Sequence, residues 1–317
     1  MQSSSGSTST AKNTRHVPVL LQEVLEVLNI QENDVVLDAT LGGGGHAKAF
    51  AEKLGESGHL IGFDVDSEAL KRAHEQLADT KPKITFIHDN FRNIATQLPA
   101  HGVTGIDKAL FDLGWSSDQL EVSGRGFSFS RDEPLQMTLS DSIDEETTTA
   151  YDIVNNWQEE SIADVLYGWG GERFSRRIAR GIVDARKESP IETTFQLVDV
   201  VTKSLPAPYR RGKRNPATKT FQALRIAVND ELGALQDALT ALPDIVHEHA
   251  TVAFLTFHSL EDKLIKETFR TWAQEGMGEL VTKKPIAPTS SEVGQNSRSR
   301  SAKLRGFTFT HYEKNNK

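Results

Sequence analysis

Apolar positions along the chain fall into two alternating rhythms. Leu20, Leu21, Val24, Leu25 and Leu28 recur at helical spacing and predict a first amphipathic helix. Val35-Val36-Leu37 then form a short apolar run that ends in Asp38, the pattern of a buried strand. Helical spacing returns at Ala47, Phe50, Ala51 and Leu54, and Gly55 marks the stop. The cycle repeats with a strand from His59 to Phe63 ending in Asp64. Next comes a helix that starts near Ser67 and packs through Leu70, Ala73, His74 and Leu77. Strands follow at Ile84 to Ile87 and at Ala109-Leu110-Phe111, the last ending in Asp112. Such regular β-α alternation predicts an α/β fold, Rossmann-like, with a mostly parallel sheet covered by helices on both faces.

The next strong strand is Val252 to Phe257. The 139 residues from Leu113 to Thr251 are far too many for one crossover. They contain helical patterns at Glu172 to Ala185 and Phe195 to Lys203. An inserted all-helical domain is therefore expected over 123–217, between the two parts of the sheet domain, 16–122 and 218–317. One long helix is expected to lead back to the sheet, with Phe221, Leu224, Val228, Leu232, Leu235 and Leu239 on one face. A strand pair near 279–283 and 305–312 closes the chain.

Composition narrows the class. The chain has 317 residues, 37% of them hydrophobic and 25% charged, which suits a globular protein with a substantial core. Residues 1–15 are rich in Ser and Thr and lack the apolar segment of a signal peptide, so a disordered tail is expected. No run of 18 apolar residues is present, which argues against a membrane span. The absence of cysteine excludes disulfides and fits a cytoplasmic location. The net charge of −8 argues weakly against a nucleic-acid partner, but the basic residues are clustered. Residues 171–187 carry six Arg or Lys against two acids, 203–225 carry seven against none, and 281–305 carry six against one. An acidic body with basic stretches suits a protein that meets a polyanion, and it also suits ordinary solvated helix faces.

Chemistry concentrates where strands end. In a parallel sheet ligands bind beyond the carboxyl ends of the strands. The turn from Asp38 to Ala47 holds four consecutive glycines, Gly42 to Gly45, between a strand and a helix. Glycines there allow close backbone approach and leave helix N–H groups free for a ligand. Asp64, 20 residues after Gly44, can accept hydrogen bonds from a ribose diol. This pattern points to an adenosine-type ligand and leaves S-adenosylmethionine and NAD both open, since Gly42-x-Gly44-x-x-Ala47 also matches the dinucleotide fingerprint. Asp112 is either a turn acid or a contact to cofactor or substrate amine. In Gly124-Arg125-Gly126-Phe127-Ser128-Phe129, the two rings either stack on a splayed-out base or anchor the loop in the core.

Taken in order, these segments resemble the RsmH/MraW family of small-subunit rRNA cytosine-4-N-methyltransferases. The likeness rests on His16 to Leu21, Asp38 to His46, Asp112 to Leu120, Arg125 to Phe129, Gly171 to Ala179, Asn215 to Arg225 with Asn229, Phe257 to Asp262, and Arg298 to Arg305. It implies a class I methyltransferase sheet with a helical insertion. It also implies S-adenosyl-L-methionine as cofactor, with contacts from Gly44, Gly45, His46, Asp64, Phe91, Asp112 and Gln119. The implied substrate is 16S rRNA or the small ribosomal subunit, methylated on the 4-amino group of a cytidine in the decoding centre. Phe127 and Phe129 are expected at the base, and Arg210, Arg211, Lys213 and Arg214 at phosphates. Asp112 is the candidate catalytic group, and no metal is required. Trp115 and Asp118 depart from the family pattern, as do Gln136 and Thr138-Leu139-Ser140.

Overall fold

A computed structural model describes residues 18–114, 123–141, 147–210 and 215–310. Its centre is a seven-stranded sheet: β1 (Val35–Asp38), β2 (His59–Asp64), β3 (Lys83–His88), β4 (Ile106–Asp112), β5 (Val246–Thr256), β6 (Gly278–Leu280) and β7 (Lys303–Phe309). The order is β3-β2-β1-β4-β5-β7-β6. The first five strands are parallel, and β7 pairs antiparallel with both β5 and β6. The strand order reverses between β1 and β4, so a crevice opens at their carboxyl ends.

Period-two alternation assigns each strand residue to a face. Leu37, Phe111, Val252 and Phe254 point to one core, which α4 (Ile94–Ala100), α11 (Glu231–Ile245) and α12 (Ser259–Gln274) cover. Val36, Leu110, Ala253 and Leu255 point to the other. There α1 (Leu21–Leu28), α2 (Gly45–Lys53) and α3 (Ser67–Leu77) pack. The first core is dense with aromatics; Phe111 stacks on Phe254 at 4.5 Å and 6°. In α3 the sheet-facing residues are Ala69, Ala73 and Leu77. His74, expected among them, is exposed and meets only the partly buried Phe86 ring at 5.4 Å, because its position falls one step off the buried stripe.

A third apolar cluster lies apart from the sheet. It gathers α5 (Ala150–Asn156), α6 (Glu159–Gly168), α7 (Ser175–Glu188), α8 (Thr194–Ser204) and α10 (Thr218–Asn229), with α9 (Ala207–Arg210) between the last two. Thr149 and Thr193 start α5 and α8 with reciprocal capping boxes, which satisfy the first N–H groups of each helix. The single long helix expected over 221–239 is instead two. Asp230 adopts φ 45°, which ends α10 and starts α11. Phe221 and Leu224 then face the helical cluster, while Leu235 and Leu239 face the sheet. The helical period runs through the break unaltered, so the apolar pattern alone conceals it. α13 (Ser290–Gln295) completes the described helices.

A few polar contacts tie the loop around residues 125–141 to α10 and to the start of α3 beside the sheet. Asn229 Nδ2 donates to the Met137 carbonyl at 2.8 Å, and its Oδ1 accepts from the Leu139 N–H at 2.7 Å. Arg125 donates to the Leu139 carbonyl and to Asp66, and the Ser67 hydroxyl donates to Asp141 at 2.5 Å. These bonds hold the loop around residues 125–141 over the start of α3.

Candidate active site

The glycine turn is fixed by the strands on either side of it. The Ala39 N–H donates to Leu110 at the end of β4, and the Leu41 N–H donates to Phe63 at the end of β2. Gly42 and Gly44 adopt φ 52° and 78°, conformations that disfavour any residue with a Cβ. At Gly44 an added Cβ would also sit 3.3 Å from Ala73 of α3. Gly44 caps α2 without a side-chain partner, so the first N–H groups of α2 are available to a ligand.

Asp64 and Asp112 flank this turn. Asp64 Oδ2 accepts from the Gly42 N–H at 2.7 Å and Oδ1 from the Asp66 N–H at 2.9 Å. Burial pushes its carboxyl up to about 6, against those two bonds. The Asp112 N–H donates to Thr40 Oγ1 at 2.7 Å, and its Oδ1 accepts from the Gly114 N–H at 2.9 Å. Asp112 Oδ2 is left toward the crevice, 3.6 Å from His46 Nε2. Phe91 opens a 3-10 turn after β3 and meets Phe111 edge-on at 5.7 Å.

These residues surround a cavity of about 360 Å³, the size of a small-molecule site. Of the residues expected at the cofactor, Gly45, His46, Asp64, Phe91 and Asp112 line it. Gly44 shapes the turn behind the wall. Gln119 lies outside the described residues. Leu41, Phe91, Leu113 and Phe257 provide apolar surface for a flat ring.

A second cavity of about 220 Å³ adjoins the first and shares Arg225 and Phe257 with it. Phe127, Phe129, Met137 and Phe221 supply its apolar wall, and His258 and Gln222 its polar one. The two expected aromatics differ here. Phe127 is buried in the helical core, whereas Phe129 is half-buried and packs edge-on against Phe221 at 5.8 Å. Both therefore line the cavity, and Phe127 is also an anchor.

Much of the clustered positive charge is engaged within the protein. Arg186 donates to the Val154 and Trp157 carbonyls, both at 2.8 Å. Lys303 and Arg305 pair with Asp262. Arg210, expected at phosphate, donates to the Leu205 and Lys203 carbonyls and so closes the end of α8. Arg211, Lys213 and Arg214 lie outside the described residues. Arg173 is exposed and lies over the Phe174 and Tyr209 rings at 4.6 and 4.5 Å, which meet each other edge-on at 4.8 Å.

Several cavity residues carried no role in the sequence reading. Arg225 holds Glu231 through two bonds of 2.8 and 2.9 Å across the α10–α11 break. Burial raises the Glu231 carboxyl, and the guanidinium opposes that rise. Glu231, His258 and Glu261 bring one ligand-type atom each within 4.8 Å of one another. Their atoms have other uses: Glu231 binds Arg225, and Glu261 Oε2 accepts from the Phe257 and His258 N–H groups to cap α12. Asp38 ends β1 beneath the turn, with 1% of its surface exposed. Its place in the glycine segment was the available signal. Arg225 had a signal as the end of the basic run and of the family-like segment Asn215 to Arg225, but Glu231 had none, because the helix break that joins them leaves no mark on the apolar pattern.

A parallel sheet reversing at β1/β4, an antiparallel β7 pairing and a glycine turn between strand-end carboxylates define a class I methyltransferase architecture. The family model described as the MraW methylase family matches residues 13–310, and the chain belongs to that family. The chain is 42% identical over 311 residues to the ribosomal RNA small subunit methyltransferase H of Brevibacillus brevis, covering 93% of this chain and 98% of that one. The protein of the same name from Clostridium botulinum is 42% identical over 306 residues, covering 92% and 97%.

Proposed function

We propose that the protein transfers the methyl group of S-adenosylmethionine to the exocyclic 4-amino group of a cytidine in the decoding centre of small-subunit rRNA. The observation that carries this is the pair of adjoining cavities, one lined by the glycine turn and strand-end carboxylates, the other by aromatic rings. The 42% identity to the small-subunit methyltransferases supports rRNA as the substrate class and, with it, a cytoplasmic location. No helix among the described residues is long and apolar enough to cross a membrane.

The residues present fit such a cofactor. The open start of α2 and the turn accept a polar group, Asp64 suits a ribose diol, and Phe91 and Leu113 suit the base. When bound, S-adenosylmethionine supplies a methyl group made electrophilic by a sulfonium charge. The protein must then align the acceptor nitrogen with it, a positioning effect worth roughly 7–11 kcal/mol in favourable cases. A cytosine amine is a poor nucleophile because its lone pair is delocalised into the ring. Asp112 accepts an amine hydrogen through Oδ2, which frees that lone pair and stabilises the cation as it forms. Phe129 and Phe127 hold the ring in the smaller cavity, with Phe257 at the junction. The helices over 123–217 serve as the substrate-binding domain, and Arg211, Lys213 and Arg214 contact phosphates.

Calorimetry with S-adenosylmethionine and with NAD separates this from an oxidoreductase. Binding of S-adenosylmethionine alone, followed by tritium transfer into unmodified small subunits, is the expected result. Binding of NAD alone, or cofactor binding without any transfer, contradicts the reading.

A further inference from the structure

Three carboxyl groups stand side by side at the carboxyl edge of the sheet. Asp38 of β1 is opposite Gly62 of β2 and Leu110 of β4. Asp64 and Asp112 therefore lie two residues beyond it on the neighbouring strands. Those two have backbone N–H partners at short range and face the cavity. Asp38 is built differently. Its Oδ1 accepts one long bond, 3.3 Å from the Thr40 N–H, and its Oδ2 is buried without a hydrogen-bond partner among the described residues. An ionised oxygen in that position is costly.

The groups around Asp38 make its charge responsive. His46, from α2, favours the ionised form, while Asp112 and Asp64 oppose it. Both ring nitrogens of His46 are likewise buried without hydrogen-bond partners among the described residues, and Nε2 lies 3.6 Å from Asp112 Oδ2. Burial pushes the Asp38 carboxyl up to about 7 from the usual 3.8. Asp38 thus sits behind the cavity wall, one layer below the residues that touch a ligand, and changes charge near neutrality.

We propose that Asp38 is a charge-sensing positioning residue that gives up its proton when a cationic cofactor fills the cavity and regains one when the occupant is neutral. This rests on the reading that S-adenosylmethionine is the cofactor. The adenosine and amino-acid parts are the same before and after methyl transfer, so contacts to them cannot tell cofactor from spent product. The charge on sulfur does change. Asp38 ionises fully on cofactor binding and releases to solvent the share of a proton it still holds. In the transfer, the sulfur keeps the electron pair of the broken C–S bond, and the amine lone pair forms the N–C bond. The methylated amine sheds one proton and Asp38 regains only the share it released, the remainder going to solvent, so the protein returns to its starting state without another reactant. The protein thereby holds the sulfonium form and releases the thioether.

The test is calorimetry of the full chain with S-adenosylmethionine and with S-adenosylhomocysteine, each in two buffers of different ionisation enthalpy from pH 6 to 8. The two ligands share their amino and carboxyl groups, so a difference between them reports the sulfur charge. At pH 7 the sulfonium ligand should release about half a proton per site more than the thioether, as a group half-protonated at that pH requires. Its affinity should rise toward pH 8 more steeply than that of the thioether, since ionisation of Asp64 contributes equally to both. In Asp38→Asn the difference in proton release should vanish, and the preference for the sulfonium ligand should shrink about tenfold. Equal proton release by the two ligands, or a difference that persists in Asp38→Asn, overturns the proposal. If the variant does not fold, parallel pH profiles for the two ligands on the unaltered chain overturn it alone. Failure of both ligands to bind overturns the cofactor reading instead.

Discussion

The two adjoining cavities are made of different material. The larger is set on one side by main chain, strand ends and a turn whose N–H groups are committed to Leu110, Phe63 and Asp64, and is closed on the other by Leu139, Arg225, Asn229 and Glu231. The smaller is set by side chains brought from Phe127, Phe129, Phe221 and Phe257, which belong to three segments far apart in sequence. The first is rigid because the sheet is rigid. The second depends on how the helical cluster is held, through Asn229, Arg125 and Asp141. Binding of the cofactor and engagement of the substrate should therefore fail separately.

The largest expected effect breaks the smaller cavity. Phe127→Ala removes a ring from the helical core and should cost about 3–5 kcal/mol of stability in denaturant unfolding. Phe129→Ala, on a half-buried ring, should unfold near the unaltered midpoint and instead weaken RNA binding by roughly 1–3 kcal/mol. Equal loss of stability in both would mean that neither ring is available to a base.

Asp112→Asn addresses the larger cavity. It keeps the volume and removes the charge, so single-turnover methylation at saturating cofactor should fall about 10²–10³-fold, the usual scale for one preorganised electrostatic group. Near-normal turnover would leave Asp112 a turn residue bonded to Thr40 and Gly114.

A smaller effect follows from Asp38 and pH. The group binds its proton more tightly folded, at about 7, than at the usual 3.8. Between those values the unfolded chain has lost the proton and the folded chain keeps it. Stability of the cofactor-free protein should then fall as pH climbs from about 4 to 7, and level off above that. Asp38→Asn should reduce the slope of the melting temperature across that window and leave the part below about pH 6 that Asp64 contributes. An unchanged slope would show that Asp38 is not the group responsible.

The smallest effect concerns the basic segment. Replacing Arg211, Lys213 and Arg214 with Ala should lower the salt slope of RNA binding by up to about 0.7–0.9 per lost phosphate contact and leave cofactor affinity unchanged. Arg210→Ala belongs to a different experiment, because its guanidinium closes α8. It should lower stability by about 1 kcal/mol and leave the slope alone.

What was legible in the sequence follows the same division. Strand-helix alternation, the glycine turn, Asp64 and Asp112 are local features, and each is where the apolar rhythm places it. The helical character of the segment after β4 was legible for the same reason. The join between the helical cluster and the sheet was not. One uninterrupted apolar stripe from Phe221 to Leu239 serves two cores, and only the left-handed Asp230 divides them. That break sets Arg225 and Asn229 of α10 and Glu231 of α11 at the cavity, where a linear reading gives them no common purpose. Charge counting could not tell apart the uses of the basic runs. Arg186, Arg210, Arg225 and Arg305 all lie in basic runs, yet each is bonded within the protein.

The central claim is chemical and can be read from the product. Small subunits lacking the modification would be incubated with the protein and isotope-labelled S-adenosylmethionine, and the rRNA digested to nucleosides for mass spectrometry. The account predicts label in N4-methylcytidine, recovered from a decoding-centre fragment, and none when Asp112→Asn is used over the same time. Label in a carbon-methylated or ribose-methylated nucleoside, or in no nucleoside at all, would contradict it.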